Sequence, residues 1–167
     1  MSISLGEVRQ DLVRAHNQAI AALSKPGTWW TGAQRRELAL TAQLAISELE
    51  PVAPWAGVSN VANKLPTNLT APKIAHDAIY RISRHAATLT REWYEKVTAE
   101  INPLAFVELC GIACTIAPVM AFRRSLGLPA LEVGPAESGQ PSNKEPDNIV
   151  AAQLNWVPVV EIGRAHV

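Results

Sequence analysis

Cysteine is scarce in this 167-residue chain: two residues, Cys110 and Cys114, with none before position 110. That excludes a disulfide scaffold, and no Cys-x-x-Cys pair is present. The four histidines form no HxxxH or HExxH motif, so no metal site is expected, and no glycine-rich phosphate loop signals a nucleotide cofactor. Net charge is also missing. Fifteen basic and fifteen acidic side chains cancel, which removes any general attraction to nucleic acid or to an anionic membrane. Arg35, Arg36, Arg81, Arg84 and Arg91 are interleaved with acids and read as solvated helix faces rather than a basic patch. No basic start followed by an apolar run opens the chain, so the expected compartment is the cytoplasm.

Apolar residues are abundant, at 48% against 18% charged, and a chain of this length can bury about 70% of its unfolded surface in one domain. The pattern is helical throughout. Leu12, Val13, Ala19, Ile20 and Leu23 recur at helical spacing between Leu5 and Leu23, and Lys25-Pro26-Gly27 punctuates the end. Thr31 and Gln34 form a capping-box pattern that predicts a second helix over Gly32 to Leu49. Pro51, Pro54, Pro66 and Pro72 then predict a long irregular loop, the kind that often carries function. Pro72 opens a third helix, Lys73 to about Ala87, with Ile74, Ala78, Ile79 and Ile82 as its inner stripe. Thr90 caps a fourth, whose inward stripe is Trp93, Tyr94 and Val97.

Asn102-Pro103 starts the last and most apolar helix, and Gly127 followed by Pro129 ends it. Its apolar run is about the minimum for a membrane span, yet it contains Glu108 and Pro118, so it reads as a buried core helix that Pro118 should bend. Glu108 is then an acid on a mostly buried surface, which must be paired, hydrogen-bonded or shifted in pKa. That makes it the first candidate for chemistry, with a structural pair to an arginine such as Arg81 as the plainer alternative. Cys110 and Cys114 share a helix face but lie far from the helix start that would activate a thiol, so both read as small buried hydrophobes. Asp77 and Arg81 are spaced for a solvated ion pair. His16 and His85 stand without partners in the pattern. Trp29 and Trp30 are adjacent, so one is expected to seal the core while the other meets a partner subunit.

Leu131 to Asp147 is rich in Pro, Gly, Ser and Glu and is expected to be an exposed linker. The organisation is therefore a helical domain over 1–130, then a linker and truncated segment over 131–167. The final EIGRAHV resembles the in-frame translation of a sequencing adapter, so residues 161–167 are expected to be non-native.

Three segments resemble the alkylhydroperoxidase D / carboxymuconolactone decarboxylase-like family: Tyr80-Arg81-Ile82 through Thr90, Val107-Glu108-Leu109, and FRRSLGLP from Phe122 to Pro129. The stretch Gly27 to Ala45 is similar to that family's earlier helix, with Glu37-Leu38 at the place of its Glu-Leu pair. The resemblance implies an all-α bundle of about five helices, a homo-oligomer, and a Cys-x-x-Cys pair followed by a histidine. Counting on from Glu37 reaches Leu49, Val52 and Ala56 instead, so this chain resembles a member lacking the thiol relay. What the resemblance then implies is a peroxidase-related or decarboxylase-like protein acting on a small organic molecule by acid–base chemistry. Glu108 and Glu37 would transfer protons while Tyr80 and Arg81 orient the substrate. For Glu37 the plainer reading is a solvated helix residue beside Arg35 and Arg36. The competing reading of the whole is a non-catalytic helical module for oligomerisation or ligand binding. The two differ in whether Glu37 and Glu108 converge on one cavity.

Overall fold

Side-chain caps fix the starts of three of the five helices. The computed structural model describes residues 6, 8–48, 65, 67–130, 132–150 and 156–160, and among these lie five α-helices: α1 (Gln10–Ala22), α2 (Gly32–Ser47), α3 (Lys73–His85), α4 (Arg91–Glu100) and α5 (Pro103–Ser125). A 3-10 turn, Ala86–Thr88, joins α3 to α4. The all-α expectation holds.

The Thr31 hydroxyl accepts the Gln34 N–H at 3.3 Å, and the Gln34 amide oxygen accepts the Thr31 N–H at 3.0 Å. Both donors would otherwise be orphaned at the start of α2. Thr90 caps α4 in the same way through the Trp93 N–H, and the Asn102 side chain accepts from Leu104 with Pro103 in the first turn of α5. At the far end of α5, Gly127 has φ 69°, Leu128 donates to Arg123 O at 2.9 Å, and Gly127 donates to Arg124 O at 3.1 Å. This is the paired closure that a left-handed glycine permits.

Helices α2, α3 and α5 pack on one another, with α4 against α3 and α1 against α5. Leu38, Ala39 and Ala42 from α2, Ala75, Ala78 and Ile79 from α3, and Leu109, Ile112 and Ile116 from α5 share one buried cluster. Small residues on α2 and α3 let the larger side chains of α5 fill the space between them. Truncating Leu109 or Ile112 would cost about 2–5 kcal/mol.

Helix α5 is long and apolar enough to cross a membrane by length and composition alone. It is a core helix on one face only: Leu109, Ile112, Ala113, Ile116 and Val119 are buried, whereas Gly111, Cys114, Pro118 and Ala121 are exposed. Helical periodicity cannot bury both faces of a helix at the edge of a bundle. Leu12 is likewise exposed, so α1 contributes fewer core residues than its stripe predicts.

The expected linker after α5 is the main departure. Most of its side chains are exposed, but its backbone is tied down: Glu137, Ser142 and Asn143 donate to the carbonyls of Ser24, Gly27 and Thr28 at 2.8, 3.1 and 2.8 Å. Arg36 Nε donates to Gly134 O at 2.9 Å, and Val133 is buried in the core. Residues 132–143 thus form a strap across the loop between α1 and α2. Composition did not reveal it because the ordering comes from main-chain bonds rather than apolar side chains. Beyond the strap, β1 (Ile149–Val150) pairs antiparallel with β2 (Val159–Val160), Ile149 opposite Val160. Residues 49–64 and 66 of the Pro-rich loop, with the family-spaced positions Leu49, Val52 and Ala56, and residues 161–167 lie outside the described residues.

Replacing Thr31 by Ala removes the hydroxyl that accepts the Gln34 N–H and leaves only the backbone half of the capping box. Chemical denaturation should show a loss of about 1 kcal/mol with an unchanged m-value.

Candidate functional site

The two glutamates proposed from sequence do not meet. Glu108 lines a cavity of about 600 Å³ together with Trp29, Leu104, Val107, Lys144 and Ile149, whereas Glu37 lines a separate one of about 420 Å³ with Arg36, Leu40, Thr41 and His76. Helix α2 presents Arg35 to the first carboxylate and Glu37 to the second cavity.

Glu108 is held from two directions. Its Oε2 accepts the Trp29 N–H at 2.7 Å, and its Oε1 lies 3.1 Å from Arg35 Nε, with the two side chains 14% and 16% exposed. The Oε1–Nε contact is an ion pair by distance without hydrogen-bond alignment. Arg35 in turn donates from Nη1 to Lys25 O at 3.1 Å. The carboxylate therefore joins α5, α2 and the intervening loop. Gly27 makes room for it, because a Cβ there would lie 1.8 Å from Glu108 Oε1. The expected partner Arg81 is instead bonded to Asp77 at 2.9 Å, four residues back on α3. That pair is mostly buried rather than solvated, and burial pushes the Asp77 carboxyl up while Arg81 draws it down. Tyr80 is buried beside Ala45, with Leu44 and Leu65 packed around them. Neither Tyr80 nor Arg81 lines either cavity, so neither can orient a substrate beside Glu108.

Glu37 is no solvated helix residue. Its Oε1 and Oε2 accept the Thr70 N–H at 3.1 and 2.9 Å, Oε1 accepts the Thr70 hydroxyl at 3.0 Å, and Oε2 accepts the Ala71 N–H at 3.0 Å. These donors immediately precede Pro72, the cap of α3, so the carboxylate sits at the positive end of that helix. Facing it is His76, whose side chain is 1% exposed. Nε2 lies 3.7 Å from Glu37 Oε2, an electrostatic contact too long for a hydrogen bond, and finds no hydrogen-bond partner among the described residues. Nδ1 lies 2.8 Å from Thr41 Oγ1, which is also 3.0 Å from Glu37 O.

That geometry couples the tautomer to one hydroxyl proton. When Thr41 donates to Glu37 O, Nδ1–H donates to Thr41 and Nε2 carries the free lone pair; when Thr41 donates to Nδ1, Nε2–H faces the Glu37 carboxylate. Desolvation holds the His76 pKa below its ordinary 6.5, with Glu37 opposing the shift. The imidazole is thus neutral at pH 7, beside a fixed carboxylate that would stabilise its cation. From the sequence, His76 adjoins Asp77, Tyr80 and Arg81 on one helix and was not counted among the candidate site residues. Only Glu37 and Thr41, four apart on α2, share a face by spacing, and His76 joins them through the packing of α3 on α2.

Cys110 carries no activated thiol. Cys110 is half-buried and burial raises its pKa to about 11, with Cys114 adding to the shift; Cys114 is exposed, not buried as expected. Trp30 seals the core and donates from Nε1 to Ala105 O at 3.1 Å, while Trp29 walls the larger cavity. Among the described residues no cluster of three His, Cys, Asp or Glu could hold a metal. Compared with known proteins, the chain matches no family model, no curated protein and no solved structure.

Truncating Glu108 to Ala leaves the Arg35 cation poorly answered and should cost about 2–3 kcal/mol, and adding Arg35→Ala should return part of that loss in a double-mutant cycle. His76 gives a pH signature. Its folded pKa lies below the unfolded value, so the unfolded chain takes up the proton first. Its stabilising contribution is complete above pH 6.5 and declines as pH falls below it, levelling once the folded pKa is passed. Urea midpoints between pH 7.5 and 5 should fall less steeply in His76→Asn than in the parent.

Proposed function

We propose that this protein binds a small organic molecule in the Glu37–Thr41–His76 cavity and moves a proton on it, as an alkylhydroperoxidase/carboxymuconolactone decarboxylase-like protein working by acid–base chemistry without a thiol relay. The observation that carries the reading is the buried, neutral His76 with Nε2 free of hydrogen bonds and a carboxylate 3.7 Å away. In this reading Nε2 accepts a proton from a carbon or oxygen acid of the bound molecule. Glu37 stabilises the imidazolium, and the proton returns at another atom of the same molecule. Thr41 holds the ring and sets its tautomer. Leu40, Leu44, Leu65 and Leu69 supply the apolar walls that such a site needs. Glu108, tied to Arg35, is a structural residue in this scheme.

A second reading, a non-catalytic oligomerisation module, is supported by the exposed row Gly111, Cys114, Pro118 and Ala121 on α5. The two make different demands on His76, and only the first requires it.

The test is proton exchange into small carbonyl and lactone acids in D₂O, followed by NMR. The parent and Cys110→Ser should exchange equally, while His76→Asn and Glu37→Gln fall by about 10²–10³-fold. Exchange that survives His76→Asn, or none in the folded parent, would remove the acid–base reading.

A further inference from the structure

The larger cavity is separate from the His76 site and is walled by α5, the loop before α2, and the segments that follow the strap. Asn143, in the left-handed conformation at φ 49°, donates to Thr28 O, and from there the chain places Lys144 and Ile149 opposite Leu104 and Val107 of α5. Strand β2 closes another side with Val159 and Val160, which are 38% and 53% exposed. The volume of about 600 Å³ falls within the range of small-ligand sites, and its lining is largely aliphatic with one indole, Trp29.

Charge narrows the class of ligand. Two ionic side chains line the cavity, Glu108 and Lys144. Glu108 is answered inside the protein by Arg35 and the Trp29 N–H, so it demands no cation from a ligand. Among the described residues no carboxylate pairs with Lys144. An apolar wall with one unanswered ammonium selects a molecule with an apolar body and one negative group. We propose that this cavity binds a medium-chain or aromatic monocarboxylate, its body against Trp29, Leu104, Val107 and Ile149 and its carboxylate on Lys144. The inference does not depend on proton transfer at His76.

Isothermal titration of the whole chain with decanoate tests it, with decanol and decyltrimethylammonium as matched tails bearing no charge and a positive charge. Decanoate should bind more tightly than either. Lys144→Gln should weaken decanoate by about fivefold to tenfold and leave decanol unchanged. Val107→Trp, which fills the cavity from α5, should abolish binding of both, with folding checked by circular dichroism. His76→Asn should bind decanoate like the parent, so failure of the catalytic reading would leave this result intact. Decanoate binding that is absent, that survives Val107→Trp, or that is matched by the cationic or neutral tail would overturn the assignment.

Discussion

The contact on which the arrangement turns is the Glu108 carboxylate, wedged between Arg35 of α2 and the Trp29 backbone N–H, with only a glycine hydrogen at position 27 allowing the approach. A charge at this depth in an apolar helix is tolerable only when answered, and the answers come from two other parts of the chain. One carboxylate therefore fixes the end of α5 against α2 and against the loop that precedes it. The strap that crosses this loop is bonded to the carbonyls of Gly27 and Thr28, so its position follows from the same contact.

Two glutamates of similar sequence character end in opposite roles. Glu108 meets a guanidinium and becomes a cross-link. Glu37 meets backbone donors at the start of α3, so it is held rigidly while a neutral histidine stands within electrostatic reach. Desolvation keeps the imidazole neutral at rest, while the fixed carboxylate beside it lowers the cost of a transient cation. The Cys110 thiol offers nothing comparable: well inside α5, it is held protonated by its surroundings.

The helix boundaries were readable because they depend on local chemistry. Thr31 with Gln34, Thr90, Asn102-Pro103 and Gly127 each satisfy or end a backbone ladder using neighbours within a turn, and each acts in the structure as its sequence context predicts. The partners of the charged residues were not readable in this way. Arg81 was the expected partner of Glu108, yet it has Asp77 one turn away, and the guanidinium that reaches Glu108 comes from the first turn of α2. The strap escaped notice because main-chain hydrogen bonds leave no mark on composition.

The sequence by itself determined that the chain is helical, where α2, α4 and α5 start and where α5 stops, and that Glu108 could not remain unanswered; these follow from bonds and burial within a few residues. The tertiary structure alone decided which cation answers Glu108, that Glu37 accepts the Thr70 and Ala71 N–H groups just ahead of α3, and that His76 stands beside it. Those outcomes depend on how α2, α3 and α5 pack, and a contact between residues 35 and 108 or 37 and 76 has no periodicity to reveal it.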